Sequence, residues 1–215
     1  KTLIADISHQ TKTPIANVLL YAQLLEEQAP ENCRTYTAAL AGQAGKLQSL
    51  IEALMKTSRL ETWVLVLHPR PGPLGPMLEE AAAQFAPRAA EKGLELVLEP
   101  TEADAVFDPK WTAEAVCNLI DNAVKYTPAG RVTVSARAYQ LVARVDVEDT
   151  GPGIPEEELG KLFQRFYRGG AAGQAEGVGV GLYLARQIAQ GQGGYVKAFS
   201  RAGKGSKFSL FLPRN

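Results

Sequence analysis

Asn118-Leu119-Ile120-Asp121-Asn122-Ala123-Val124-Lys125-Tyr126-Thr127 is the end of a helix that opens at Asp108-Pro109 and runs to about Tyr126. Ala115, Val116, Leu119, Ile120, Ala123 and Val124 form its apolar set, the mark of a helix packed on a core. Asn118 and Asn122 stand four apart, so both amides point the same way, with Lys125 another turn along. Amide oxygens can ligate a hard cation such as magnesium, and a lysine can pair with phosphate oxygens. The same two asparagines can equally act as caps or buried hydrogen bonders, and spacing alone leaves both readings open.

Around this helix short strands and helices alternate. Thr62-Trp63-Val64-Leu65-Val66-Leu67 has strand composition, and the Pro/Gly cluster from Pro69 to Pro76 predicts a loop before a helix over about Leu78 to Lys92. Strands are expected at Leu94–Leu98, Ala105–Phe107, Arg131–Arg137 and Leu141–Val147, with a tight turn near Tyr139-Gln140 between the last two. A glycine-rich, strand-poor segment fills 151 to 181. A helix to about Gln190 and strands at Tyr195–Ser200 and Ser206–Leu212 complete an α+β pattern with a mixed sheet under a helical layer.

Three further stretches carry chemistry. Asp149-Thr150-Gly151-Pro152-Gly153-Ile154-Pro155 puts a carboxylate after a strand, beside glycines that let backbone approach a flat ligand. That suits recognition of an amine on a planar base, while a Gly/Pro turn with a solvated aspartate would leave the same trace. Gly177, Gly179 and Gly181 lead into a helix at Leu182, leaving N–H groups and a positive dipole end for a phosphate. Leu162-Phe163-Gln164-Arg165-Phe166-Tyr167-Arg168-Gly169 reads as a surface loop anchored by Phe163 and Phe166, compatible with a lid whose arginines reach phosphates on closing. Neither glycine segment has the G-x-G-x-x-G or G-x-x-x-x-G-K-[ST] spacing, which disfavours dinucleotide-fold and P-loop readings.

The first 60 residues are different. Leu3, Ile4, Ile7, Ile15, Val18, Leu19, Leu24 and Leu25 recur at helical spacing to about residue 28, with Pro14 predicting a kink one turn beyond His9. Ala29-Pro30-Glu31-Asn32 signals a turn, and a second helix to about Arg59 carries Leu40, Leu47, Leu50, Ile51, Leu54 and Met55. Such a hairpin has too little partner surface of its own, so a homodimeric four-helix bundle is expected, with His9 on its outer face.

Composition narrows the partners. Lys plus Arg equals Asp plus Glu at 23 each, so no overall field favours nucleic acid or an acidic membrane surface. Cys33 and Cys117 belong to no Cys/His cluster and are expected to be buried thiols in a reducing compartment. His68, against Pro69 with no acidic or cysteine partner nearby, reads as structural or solvated. No apolar run approaches the roughly 20 residues that span a bilayer, so a soluble piece of something longer is expected.

Order and spacing then decide more than any single motif. N-x-x-x-N-x-x-K-Y-T, D-T-G-P-G-I-P, L-F-Q-R-F-Y-R-G and G-V-G-V-G-L follow one another as the N, G1, F and G2 boxes of sensor histidine kinases do. Gly205-Ser206-Lys207-Phe208 is similar to the family's last box, and Ser8-His9-Gln10-Thr11-Lys12-Thr13-Pro14 resembles its H box. The resemblance covers essentially the whole chain.

It implies a dimerisation and histidine phosphotransfer domain over residues 1 to 60. A catalytic domain over 61 to 215 would follow, an α/β sandwich of the GHKL (Bergerat) ATP-binding type shared with Hsp90, gyrase B and MutL. ATP and magnesium are the implied cofactors, and a homodimer and a response regulator the implied partners. By position Asn118 would ligate magnesium, and Asn122 and Lys125 would contact phosphates. Tyr126 would line the pocket, Asp149 would bind the adenine amine, and Arg168 would approach the γ-phosphate. Gly151, Gly153, Ile154, Gly177, Gly179, Gly181 and Leu182 would shape pocket and lid. His9 would accept the phosphoryl group for a regulator aspartate, and the fragment would be cytoplasmic, attached to the cell membrane through an upstream segment. The turn at 29 to 33 would decide whether transfer runs within one chain or across the dimer.

The departure lies beside the acceptor. Family members mostly place Glu or Asp after the histidine; here it is Gln10, whose carbonyl can accept a hydrogen bond but takes no proton. Thr13, four residues after His9 and on the same face, stands where members orient a water against the phosphorylated regulator. Its hydroxyl could equally bond back to the His9 carbonyl beside the kink. A clamp-type ATPase of the same fold and a nucleotide-binding module without transfer are the rival functions.

Overall fold

The computed structural model describes residues 16–18, 20–22, 24–25, 33–45, 47, 67–169 and 179–214. The chain divides into two compact units, Lys1–Leu65 and Val66–Asn215. His9, Gln10, Thr13, the Pro14 kink, the turn at 29–32, the second helix beyond residue 47 and the strand expected at 62–66 lie outside the described residues.

The described part of the first unit is helical, at residues 16–18, 20–22, 24–25 and again over 34–45. Its buried side chains are small ones, Ala22, Thr37 and Ala44, with the Thr37 hydroxyl donating to the Arg34 carbonyl at 2.9 Å. Val18, Leu20, Leu24, Leu25, Leu40 and Leu47 are all at least 42% exposed. A single chain thus leaves these described apolar side chains uncovered. No described helix is long and apolar enough to cross a membrane.

The second unit is a helical layer on one face of a mixed sheet. Strands β2 (Leu94–Leu98), β4 (Gly130–Ala138), β5 (Val142–Asp149), β6 (Tyr195–Ser200) and β7 (Ser206–Pro213) pair in the order β2-β4-β5-β7-β6. The β2–β4 pair is parallel and the others antiparallel. A separate two-stranded ribbon joins β1 (Arg70–Pro73) to β3 (Asp104–Phe107). Helices α1 (Gly75–Glu91), α2 (Pro109–Tyr126) and α4 (Gly181–Gly191) are the long ones, and α3 (Glu156–Leu159) is a single turn.

The core follows from two periodicities. Val132 and Val134 of β4, Val145 and Val147 of β5, and Leu210 and Leu212 of β7 alternate inward, under Leu78, Leu119, Ile120, Leu184 and Ile188 of the helices, all fully buried. At about 1.5–3 kcal/mol for each large side chain, the buried stripe of α2 outweighs the cost of half-burying its two asparagines. The opposite face of β5 is charged: Arg144 lies 2.8 Å from Asp146, and Glu148 pairs with Lys207 across the strands at 2.7 Å.

Alternation also fixes the direction of Asp149. Two residues beyond Val147, it is the last residue of β5 rather than the first beyond the strand, opposite Ser206 of β7, and it points into the helix-covered face.

Helix α2 is held at its start by buried polar contacts. Asp108 Oδ1 accepts from Trp111 N at 3.1 Å and Oδ2 from His68 N at 2.9 Å, so His68 contributes its backbone. Gln192, just past α4, accepts from Asp108 N and exchanges hydrogen bonds with the Thr112 hydroxyl, while its amide donates to Ile188 O. The end of α4 is thereby tied to the start of α2, and the two helices run antiparallel.

Two expectations are corrected. The 69–76 segment is not a loop: β1 occupies Arg70–Pro73 and α1 starts at Gly75. Pro71 and Pro73 are tolerated in a ribbon with an open edge, and Pro76 sits in the first helical turn, where its missing N–H has no partner to lose. The cysteines are not both buried, for Cys33 is exposed and Cys117 half-buried, its thiol 3.8 Å from Gln84 Oε1.

Candidate functional site

The exposed side of α2 meets glycine-containing segments at two places, its C-terminal end and its middle. At its C-terminal end lies the loop after β5. Asp149 is buried, its Oδ1 accepting from Gly151 N at 2.8 Å. A side chain at Gly151 would place its Cβ 2.8 Å from that oxygen, 3.1 Å from Thr127 Oγ1 and 3.3 Å from the Tyr126 carbonyl, so only glycine lets the backbone come this close. Burial pushes the Asp149 carboxyl above its ordinary value, opposed by hydrogen bonds from Gly151 N and Ser206 and by the nearby Thr127 hydroxyl. That buried hydroxyl completes no hydrogen bond of normal geometry. The corner therefore holds a buried carboxylate acceptor and, beside it, a buried hydroxyl without a hydrogen bond of normal geometry, the chemistry that a hydrogen-bonding planar group would complement.

The rest of this loop is pinned from behind. Ile154 N donates to Ser200 Oγ at 2.8 Å, and Gly203 N to Pro152 O at 2.6 Å. Gly153, with φ 68°, passes so near the Arg201 carbonyl that a Cβ would lie 2.1 Å from it.

Half-way along α2, Asn118 Nδ2 donates to the Glu114 carbonyl one turn back at 2.7 Å, which fixes the amide and turns Oδ1 toward the start of α4. A Cβ on Gly181 would lie 2.8 Å from this oxygen. Helix α4 begins there with Val180 as its cap, whose apolar side chain gives no capping hydrogen bond; Leu182 follows, half-buried. Asn122, on the same side of α2, is half-buried, and Lys125 places its ammonium 4.8 Å from the Tyr126 ring centroid. Among the described residues no group of His, Cys, Asp and Glu forms a metal cluster. The donor set that fits a metal is the single oriented Asn118 oxygen, which suits a hard cation completing its shell with water and phosphate.

The 162–169 stretch closes this side. Leu162 is buried and Phe163 half-buried, but Phe166 is 48% exposed, with φ 59°. The expected Phe166 anchor is thus absent. Its place is taken by Arg165, whose guanidinium lies 4.9 Å from the Tyr183 ring centroid and donates to its hydroxyl at 3.2 Å, fastening the stretch to α4. Tyr167 carries a phenol pushed up by burial and by the Glu158 carboxylate beside it. Gly179, with φ 74°, passes within 2.5 Å of the Tyr167 carbonyl when a Cβ is added. Arg168 is exposed, and Gly177 lies outside the described residues.

Three participants escaped the sequence reading: Thr127, Ser206 and Tyr183. The first two sit inside recognised motifs, and strand alternation from Val145 through Asp149, with Ser206 opposite, was the available signal for one of them. Tyr183 left none.

Residues 107–215 match the family model for the histidine kinase-, DNA gyrase B- and HSP90-like ATPases, and residues 1–63 match that for the His Kinase A (phospho-acceptor) domain. The chain belongs to the sensor histidine kinases. It is 31% identical to the sensor protein kinase PmrB of Pseudomonas aeruginosa over 221 residues, covering 100% of this chain and 46% of PmrB. It is 32% identical to the aerobic respiration control sensor protein ArcB of Escherichia coli, covering 98% of this chain and 28% of ArcB. This kinase chain thus spans less than half the length of these curated relatives. Among solved structures, full-length ShkA in complex with AMPPNP matches with a TM-score of 0.78 and 30% identity over 98% of this chain and 45% of ShkA. The Acinetobacter baumannii histidine kinase AdeS shares the fold, with a TM-score of 0.71 over 96% of this chain and 98% of its own at 24% identity.

A pH dependence follows from Asp149. Its folded carboxyl holds a proton to higher pH than the unfolded one, so its contribution is most favourable at low pH and is lost as pH rises from the ordinary carboxylate range through the raised value. Asp149→Asn removes that titration while keeping an oxygen for Gly151 N. Urea unfolding of the unliganded variant should show it at least as stable as wild type at about pH 7, with the difference shrinking toward about pH 4; a variant clearly weaker at neutral pH contradicts this.

Proposed function

We propose that this chain is a histidine kinase catalytic core that binds Mg-ATP on α2, phosphorylates His9, and passes the phosphoryl group to an aspartate of a response regulator. The observation that carries the reading is the meeting, along one helix, of a buried acceptor corner at Asp149 and an oriented amide oxygen at Asn118 facing the open start of α4. A flat base fits the first and a charged phosphate tail the second.

In this reading the second carboxylate oxygen of Asp149 accepts from the adenine amine, with Tyr126, Thr127, Gly151, Gly153 and Ile154 around the base. Asn122 and Lys125 contact the phosphates, Gly177, Gly179, Gly181 and Leu182 shape the phosphate end, and Arg168 approaches the γ-phosphate. Asn118 holds magnesium, which when bound neutralises phosphate charge. His9 offers one ring nitrogen for in-line attack, as a neutral imidazole can. The N–P bond forms as the bond from phosphorus to the bridging oxygen breaks, and ADP leaves with that electron pair. The phosphorylated ring then gives up the proton on its other nitrogen to solvent water, since Gln10 can orient the ring by accepting a hydrogen bond but cannot take the proton.

The exposed leucines of the first unit support a homodimer, in which a second copy covers them. Thr13 is assigned to orient the water that hydrolyses the regulator's acyl phosphate. The core is assigned to the cytoplasmic side of the cell membrane, on family grounds.

The test is retention of label from γ-labelled ATP. Label should stay on the chain in an acid-labile, base-stable bond, vanish in His9→Ala and appear faster in Gln10→Glu. Label that turns over to free phosphate without residence on the protein contradicts the reading, and an unchanged Gln10→Glu rate contradicts the role given to Gln10. For Thr13, dephosphorylation of the phosphorylated regulator should slow at least about tenfold in Thr13→Ala while kinase activity persists; equal rates contradict the assignment.

A further inference from the structure

Lys92 belongs to none of the nucleotide motifs. It is the residue at which α1 stops, followed by Gly93 with φ 67°, which turns the chain into β2. Its ammonium nevertheless reaches a helix more than 30 residues away. Lys92 Nζ donates to the carbonyls of Val124 at 2.6 Å, Lys125 at 3.0 Å and Thr127 at 3.0 Å, so all three of its protons are engaged.

Those carbonyls need a donor from outside the helix. The last carbonyls of any helix lack intrahelical partners, and this one ends without a glycine cap: Thr127 is extended, with φ −91° and ψ 112°, and bonds back only to Ala123 O. Pro128 follows and has no N–H to give. A cation at this end also complements the helix dipole. Desolvation and the Arg88 charge both work against the ammonium, so the carbonyl bonds have to offset them.

The clamped turn forms one wall of the Asp149 corner. The Tyr126 carbonyl and the Thr127 hydroxyl are the groups that a Cβ on Gly151 would meet, and Lys125 and Tyr126 are stacked on the same turn. We propose that Lys92 is a positioning residue for nucleotide binding, its ammonium locking the last turn of α2 so that Lys125, Tyr126 and Thr127 are preset for the base and phosphates. The inference rests on the nucleotide-site reading given above.

Arg88 provides the control, because it joins α1 to α2 through an exposed pair with Asp121 and touches none of the three carbonyls. The experiment is calorimetric titration of the 215-residue chain with Mg-ADP, with urea unfolding in parallel. Lys92→Met should weaken ADP binding by the folded protein about fivefold or more, Lys92→Arg should return it to within about twofold of wild type, and Arg88→Gln should leave it unchanged. A merely structural lysine would lower the folded fraction and leave the affinity of the folded protein intact. If Lys92→Met does not fold, Lys92→Gln, which keeps one amide donor group, carries the same comparison. ADP affinity at the wild-type level in a folded Lys92→Met or Lys92→Gln chain, or equal weakening by Arg88→Gln, overturns the inference. A wild-type chain that does not bind ADP overturns instead the reading beneath it.

Discussion

A carboxylate pointing into a protein core is the constraint from which the second unit is best understood. The alternation that buries Val145 and Val147 also buries Asp149, and burial disfavours its charge. A sheet optimised for stability alone would end β5 with an apolar or outward-facing residue. Here the chain bends around the carboxylate instead. Gly151 brings its N–H to it, Gly205 passes so close to the Asp149 carbonyl that no side chain fits, and Ser206 faces it across the strand pair. The unsatisfied Thr127 hydroxyl beside it belongs to the same arrangement. These features cost stability in the unliganded chain and make sense together if a ligand completes them.

The helical layer sets how far apart the two ends of the site lie. Gln192 ties the end of α4 to the start of α2, which brings the start of α4 to Asn118. Lys92 holds the other end of α2 from α1. Both anchors are long-range polar contacts to backbone groups that packing of apolar side chains leaves unpaired. The hydrophobic stripe docks α2 on the sheet; the polar anchors fix its two ends, with Asn118 between them and Tyr126 and Thr127 at the end that Lys92 holds.

Much of this was legible in the sequence. The apolar period of α2, the box order and the two-layer α+β pattern were readable because each is written in neighbouring residues. The ribbon strand β1 was not, because Pro71 and Pro73 are strand breakers everywhere except along an open edge, and only pairing with β3 supplies that edge. The sequence points to Phe166 as an anchor because an aromatic in a loop usually seeks burial, whereas in the structure it stands outward at a positive φ and Arg165 stacked on Tyr183 does the fastening. Gln192 and Lys92 act over separations of 84 and 32 to 35 residues, so no local pattern could single them out. The burial of Asp149 needed only strand phase carried two residues further.

The central claim is that Asp149 is kept buried so that its second oxygen can accept a hydrogen bond from a base. The most direct test is the Mg-ADP affinity of Asp149→Asn, measured on the folded chain. Asparagine can still accept from Gly151 N with its oxygen, but it then presents an NH2 donor to the amine, donor against donor. The account predicts a folded variant whose affinity falls by at least about tenfold. A folded Asp149→Asn chain that binds Mg-ADP as tightly as wild type would contradict it.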